Sequence, residues 1–146
     1  MRWLAVDPGK TVGWATGWRE PSGEVVVHSY GEASHLDAKQ ILLDAIDDAE
    51  VTSVVMETFV MLDNRLREGA VITLKVIAEL ASIIRSQELP LYQQQASAAK
   101  GVITDQRLKS MHLWVAGKPH ARDAIRHLII ATRRAASGTG SFKPSG

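Results

Sequence analysis

The sequence has no cysteine, almost no net charge and no long apolar run at its start. Each of these absences excludes a kind of site, surface or segment. Without cysteine among its 146 residues there is no disulfide framework, no thiolate metal site and no cysteine nucleophile. A net charge of +1 provides no general basic surface, so contacts with nucleic acid would require local clusters of cations. The opening MRWLAVDPGK is too polar for a signal peptide or a membrane span. We therefore expect a cytoplasmic protein without a membrane partner.

What is present is the composition of an ordinary globular domain, with 45% hydrophobic and 23% charged residues. A chain of this length suits one domain with one core. Residues 137–146 (SGTGSFKPSG) are rich in Gly, Ser and Pro, which predicts a flexible tail. The predicted domain therefore spans residues 1–136.

The first part of the chain has the pattern of three β-strands. An apolar run at residues 3–6 ends in the turn signal Asp-Pro-Gly. Residues 11–18 alternate between large and small side chains, and residues 24–30 are rich in valine. Since only short turns separate these segments, they predict an antiparallel meander.

Helical and strand patterns alternate in the rest of the chain. Helices are predicted at residues 36–48, with Ser34 as the N-cap, and at 69–86, 104–115 and 119–135. Strands are predicted at residues 52–56 and 89–92. Helical crossovers make these two strands parallel to the first one. The predicted fold class is α/β: a mixed sheet, antiparallel meander plus parallel strands, with helices on both faces.

Two carboxylates stand directly after predicted parallel strands. Asp7 follows the first strand and Glu57 follows the strand at residues 52–56. Functional sites form beyond the carboxyl ends of such strands, so the two side chains should converge there. Two close carboxylates repel each other unless they share a proton or a cation. Oxygen ligands of this kind favour magnesium or manganese over zinc.

The last predicted helix brings two further polar residues. His120 and Asp123 are three residues apart and lie on one face of its first turn. They flank the apolar stripe of that helix, so they should sit where it meets the sheet. With Asp7 and Glu57 they could complete a ligand set for two cations about 3.5–4 Å apart, as used in phosphodiester hydrolysis.

Three motifs in this order resemble the RuvC-type Holliday junction resolvases: VDPGKTVGWA at residues 6–15, the isolated Glu57, and HARDA at residues 120–124. The resemblance covers roughly residues 2–135. It implies an RNase H-like fold and a homodimer that nicks two strands of a four-way DNA junction with divalent metal. The implied activity is that of a crossover junction endodeoxyribonuclease leaving 5′-phosphate and 3′-hydroxyl ends.

The resemblance also assigns residues. Asp7, Glu57, His120 and Asp123 match the four positions of the family's acidic site, as catalytic residues and as ligands of Mg²⁺ or Mn²⁺. Many members have Asp where His120 stands, and others have His. The imidazole could be a metal ligand or a proton acceptor near the attacking water, and the sequence leaves both open.

Contacts with branched DNA are predicted around this site. Lys100 and Arg107 resemble two basic positions of the family's DNA face. Phe59 resembles the family's wedge aromatic, although it stands two residues after the glutamate rather than three. Further candidates for phosphate contacts are Lys10, Arg65, Arg67, Lys109 and Lys118. The wide apolar face of the helix at residues 69–86 predicts the homodimer interface.

Simpler interpretations exist for each feature. Asp7 could serve only the turn, Glu57 could be a solvated strand end, and Asp123 could pair with Arg126 or His127 along the helix. The arginines at 122, 126 and 133 could form an exposed face. Two other functions also fit parts of the pattern. One is a junction-binding module without catalysis, and the other is an actin-like or sugar-kinase-like ATPase, which would need a second domain.

Overall fold

The computed structural model describes residues 1–58, 68–138 and 142–145. The elements along the chain are β1 (Trp3–Asp7), β2 (Thr11–Arg19), β3 (Val25–Ser34), α1 (Ala38–Asp48), β4 (Ser53–Thr58), α2 (Glu68–Ser86), β5 (Leu91–Gln95), α3 (Ala96–Val102), α4 (Asp105–Ser110) and α5 (Pro119–Ala136). None of the helices in these ranges is long and apolar enough to cross a membrane.

The strands form one mixed sheet in the order β3-β2-β1-β4-β5. β1, β2 and β3 are antiparallel neighbours, whereas β4 and β5 run parallel to β1. The predicted meander and the predicted parallel half are both confirmed. Parallel pairing follows from the helical crossovers α1 and α2, which return the chain to the same end of the sheet.

Helices cover both faces of the sheet, as predicted, and the alternation within β1 shows how. Leu4 and Val6 are fully buried against α1 and α2. Trp3 and Ala5 point to the opposite face and pack in a cluster with α3, α4 and α5. Because successive side chains of a strand alternate between faces, Asp7 lies on the α5 side.

Small residues on β2 let α5 approach the sheet closely. A Cβ atom at Gly13 would lie 2.0 Å from the carbonyl oxygen of His120, and one at Gly17 would lie 3.0 Å from Leu128 Cδ2. Gly13 is also the pairing partner of Asp7. The first turn of α5 therefore rests directly beside the end of β1.

Two helix boundaries differ from the prediction. Ser34 does not cap α1, because it still belongs to β3; Asp37 is the N-cap, without a side-chain cap bond, and Leu36 is 81% exposed. The helix predicted at residues 104–115 ends at Ser110, and Thr104 is its N-cap. A positive φ of 58° at His112 stops it, because that conformation cannot continue a right-handed helix.

The end of the chain touches the far edge of the sheet. Phe142 lies 4.5 Å from the ring of Tyr92 and 6.1 Å from that of Trp3, between ring centroids. The backbone N–H of Ser145 donates to the carbonyl oxygen of Leu91 at 2.7 Å. The flexible tail at residues 137–146 stays a prediction, since residues 139–141 and 146 lie outside the described part.

Candidate active site at the carboxyl end of the central strands

Polar side chains form a row across the sheet at the carboxyl ends of the parallel strands. Asp7 pairs with Gly13, which pairs with Glu32 on the next strand. On the other side, the register of β1 and β4 places Asp7 beside Glu57, and Glu57 pairs with Gln94. Residues in register project to the same face. We call Glu32, Asp7, Glu57 and Gln94 the polar row; it lies beneath α5.

Helix α5 presents three polar residues to the polar row. His120, Asp123 and His127 stand at positions i, i+3 and i+7, which share one face of a helix. Pro119 suits the first turn, where its missing N–H costs nothing. The backbone N–H of His120 donates to Glu32 at 2.8 Å, so the helix end is tied to the edge of the row.

Asp7 lies at the centre of the site, with only 9% of its side chain exposed. Its Oδ2 atom is 3.1 Å from Nδ1 of His120. Burial and then the negative charge and hydrogen bond of Glu57 raise the pKa of Asp7 to about 9, with a further contribution from Asp123. Without a cation, Asp7 therefore keeps its proton at neutral pH and hydrogen-bonds to Glu57.

Glu57 shows the opposite shift. Burial raises the pKa of its carboxyl group, but hydrogen bonds from His127 and Asp7 outweigh that effect and lower the pKa overall. Its Oε2 atom is 3.1 Å from Nε2 of His127. The two carboxyl groups thus carry one negative charge between them, which is the arrangement expected when like charges cannot both ionise.

Asp123 forms ion pairs with two basic side chains. Its Oδ1 atom accepts from Nη1 of Arg126 at 2.7 Å, and Oδ2 is 3.4 Å from Nζ of Lys100. Arg126 is buried; it also donates to the carbonyl oxygen of Ile103 at 2.8 Å and pairs with Asp105. The suggested pairing of Asp123 with Arg126 is thus present, and the suggestion that Arg126 belongs to an exposed face is wrong.

The carboxyl groups of Asp7, Glu57 and Asp123 fit a hard divalent cation in their chemistry. In the described residues, no three acidic or histidine groups converge closely enough to hold a metal. Asp7 and Glu57 share a proton, and Asp123 faces Lys100, whose side chain is 64% exposed. Asp7, Glu57 and Asp123 are the residues that would hold such a cation.

Basic residues lie around one side of the site. Lys100, Arg122 and Arg126 line an open cleft of about 600 Å³ together with Asp105 and Asp123. The predicted phosphate contacts Lys10, Lys100, Arg107, Lys109 and Lys118 are all exposed. Phe59, Arg65 and Arg67 lie outside the described residues.

The sequence interpretation did not single out Trp114, whose ring contacts two basic side chains, Lys109 and Arg122. Nζ of Lys109 lies 4.5 Å and Cζ of Arg122 lies 4.3 Å from the centre of its ring. Arg122 also donates to the carbonyl oxygen of Val115 at 2.8 Å. Cation–π contacts hold both charges over one ring, and Arg122 also lines the cleft. The available signal was an aromatic residue between two basic ones, in the segment that leads into α5.

His127, Gln94 and Glu32 were also missed as members of the site. His127 stands seven residues after His120, on the same face of α5, but it looks like a core position among apolar neighbours. Gln94 and Glu32 follow the same register as Asp7 and Glu57. Their place in the site follows from the pairing of β2 with β3 and of β4 with β5, and that pairing is known only from the structure.

Comparisons with known proteins agree with this architecture. No family model and no curated protein matches the sequence. Among solved structures, Thermus thermophilus RuvC in complex with a Holliday junction substrate has a TM-score of 0.80 at 16% identity, covering 99% of this chain and 100% of that one. The yeast mitochondrial Holliday junction resolvase Ydc2 has a TM-score of 0.61 at 12% identity, covering 89% and 75%. A fowlpox virus resolvase with substrate junction DNA has a TM-score of 0.58 at 6% identity, covering 90% and 99%.

These identities are low, so the likeness concerns the fold. It extends over nearly the whole length of this chain. The chain has the fold of the RuvC-type Holliday junction resolvases, as its three sequence motifs predict.

Proposed function

We propose that the chain is a structure-selective DNA endonuclease that resolves four-way junctions by metal-dependent phosphodiester hydrolysis. The observation that carries the proposal is the pair formed by buried Asp7 and half-buried Glu57 at the carboxyl ends of two parallel strands. Burial beside Glu57 raises the pKa of Asp7 to about 9, which marks a place where a cation's positive charge is needed. The fold shared with RuvC, solved with junction DNA, supports the same substrate class.

Asp7, Glu57 and Asp123 would hold the cations, and the expected number is two. The chemistry that Mg²⁺ or Mn²⁺ supplies at such a site is activation of water and stabilisation of the leaving oxygen. The expected products carry 5′-phosphate and 3′-hydroxyl ends. His120 contacts Asp7 and is 45% exposed, so it can reach either a cation or the attacking water.

A homodimer would place two such sites on two strands of a junction. The predicted interface is α2, where Leu74 is 39% exposed and the neighbouring Ile72 and Ile77 are only partly buried. Branched DNA and a second copy of the chain are therefore the proposed partners.

Loss of one metal ligand should abolish cutting without abolishing DNA binding. We expect Glu57→Gln and Asp123→Asn each to lower the rate of nicking of a synthetic four-way junction by at least about 100-fold with Mg²⁺ or Mn²⁺, since charge on the cation ligands is removed. Gel-shift affinity for the junction in Ca²⁺ should change much less.

A suitable control is Asp44→Asn, because Asp44 is an exposed carboxylate on α1, on the opposite face of the sheet. Its cutting rate should equal that of the wild type. Equal cutting by Glu57→Gln would show that the proposed site is wrong. Tight junction binding by the wild type without cutting in any metal would instead favour a non-catalytic binding module.

Lys109 and Arg122, which lie over the ring of Trp114, should contribute to junction binding by contacting DNA phosphates. For the double variant Lys109→Gln/Arg122→Gln, we expect weaker binding and a salt slope (log Kobs against log[salt]) smaller by about 1.8, since each phosphate contact contributes about 0.9. Fluorescence anisotropy between 50 and roughly 200 mM salt measures the slope over the range where it is steep.

The matched control removes the same types of charge elsewhere. In Arg2→Gln/Lys39→Gln, an arginine over the ring of Trp18 and an exposed lysine of α1 are lost. Arg2 precedes β1 and is thus at the opposite end of the strand from Asp7. An unchanged slope is expected for this control; an equal decrease in both double variants would contradict a localised DNA face.

A further inference from the structure

A buried histidine of α5 contacts the proposed ligand Glu57 directly. His127 has no exposed surface. Its Nε2 atom is 3.1 Å from Oε2 of Glu57, and its Nδ1 atom is 3.2 Å from Oε1 of Gln94. Both ring nitrogens are therefore bonded to side chains of the polar row.

The pairing of the strands fixes this contact. Glu57 and Gln94 are register partners on β4 and β5, so their side chains leave the same face next to each other. His127 reaches both from the helix above. The imidazole thus bridges two strands at one end of the site.

The ionised carboxylate of Glu57 offers only acceptors, so Nε2–H of His127 is the donor in this contact. An Nδ1 atom that accepts from the Gln94 amide nitrogen fits this tautomer, and that nitrogen has no other partner among the described residues.

A histidine is a costly way to fill this position. The neighbours of His127 along the buried face of α5 are Ala124, Leu128 and Ala131, and an apolar side chain would pack there without desolvating polar atoms. Burying an imidazole is tolerable here because both nitrogens are bonded. What the imidazole adds over an apolar residue is a fixed orientation of Glu57.

We propose that His127 and Gln94 are positioning residues, which hold the Glu57 carboxyl group in the orientation needed to bind a divalent cation together with Asp7. The proposal rests on the proposed function. A glutamate at a strand end has several rotamers, and fixing one beforehand lowers the cost of binding the cation. Hydrogen bonds behind a metal ligand typically change affinity or activity by about 10–100-fold.

The direct test compares His127→Leu with His127→Gln in the full chain. Leucine removes the donor, whereas the amide of glutamine can place an N–H close to where Nε2–H was. For His127→Leu we expect Mn²⁺ affinity to fall by about 10–100-fold, measured by electron paramagnetic resonance of free Mn²⁺, and kcat for junction cutting at fixed Mn²⁺ to fall similarly. KM for the junction should stay unchanged, and His127→Gln should recover most of both losses.

The control for a merely structural effect is Ile129→Val, a buried position of α5 that does not belong to the polar row. It should lower Tm without changing Mn²⁺ affinity. Gln94→Met keeps the length of the side chain but removes the partner of Nδ1, so a smaller loss of Mn²⁺ affinity is expected. This variant also serves if His127→Leu does not fold.

The possible outcomes are separable. If the wild type cuts and His127→Leu binds Mn²⁺ and cuts as well as the wild type, the positioning role is overturned while the proposed function stands. Equal loss of Mn²⁺ affinity in Ile129→Val would also overturn it, because general destabilisation would then explain the effect. If the wild type cuts no junction with any metal, the proposed function fails, whereas the Mn²⁺ measurements still test the positioning role.

Discussion

Replacing Asp7 with asparagine is expected to abolish junction cutting and, without divalent metal, to make the folded protein more stable. The cutting rate should fall by at least about 1,000-fold, because Asp7 is the central carboxylate of the proposed two-metal site. The gain in stability has a separate origin. The asparagine amide can donate to Glu57 and accept from His120, as the protonated Asp7 does, but it has no proton to lose.

The pH dependence of this gain follows from the direction of the shift. The pKa of Asp7 is raised from 3.8, its ordinary value, to about 9 in the folded chain. Between these values the unfolded chain releases the proton while the folded chain keeps it, so the unfolded state binds fewer protons and stability falls as pH rises. Below about pH 4, Asp7 is protonated in both the folded and the unfolded chain, so its burial costs no stability. The Asp7→Asn substitution removes the cost, so the advantage of the variant should grow from about pH 4 towards about pH 9.

Thermal unfolding in a chelator over this pH range measures the effect. One pKa unit corresponds to about 1.4 kcal/mol, or about 3–6 °C in Tm for a domain of this size. We expect a rise of at least about 3 °C for Asp7→Asn at about pH 8 and little change at about pH 4. Added Mn²⁺ should stabilise the wild type far more than the variant. Lower stability of the variant at every pH would contradict the proton shared by Asp7 and Glu57.

Gly13→Ala is expected to displace the first turn of α5 and thereby disassemble the site. The added Cβ would lie 2.0 Å from the carbonyl oxygen of His120 and 2.7 Å from the backbone nitrogen of Ala121. Both neighbours are backbone atoms, so no side-chain rotation can relieve the clash. Either β2 or the helix end must move, and the helix end carries His120 and Asp123. We expect destabilisation of about 1–3 kcal/mol, typical of overpacking, and at least about 100-fold slower cutting.

Junction nicking and thermal unfolding of purified Gly13→Ala test this expectation. Gly101→Ala is the control, since a Cβ at that position of α3 would meet no atom within 4 Å. Alanine also favours a helix over glycine, so its stability should be equal or higher. A Gly13→Ala protein with the wild-type rate and Tm would mean that α5 does not rest as closely on β2 as described.

Local sequence patterns predicted much of the fold, because helical crossovers between predicted strands determine that those strands pair in parallel. The apolar runs before Asp7 and Glu57 marked β1 and β4, and helical crossovers made them parallel. Their carboxylates then had to meet at one end of the sheet. His120 and Asp123 followed from helical spacing in the same way. These inferences needed only the chain's local periodicity and one rule of topology.

The partners of these residues could not be predicted in this way, because they depend on distant parts of the chain. His127 occupies a position in the apolar stripe of α5, and nothing in its neighbourhood indicates that Glu57 and Gln94 lie below it. In the sequence, Arg126 looked like part of a basic surface. In the structure it is buried and donates to the carbonyl oxygen of Ile103. Ser34 had the right side chain for a cap, but pairing with β2 keeps it in β3.

The last helix of the chain completes a site that begins near its first residues. Asp7 and His120 are separated by 113 positions, and Asp123 follows later still. A nascent or truncated chain without α5 holds Asp7 and Glu57 but neither of the helix residues. On the proposed function, such a chain should not cut DNA, because it lacks Asp123.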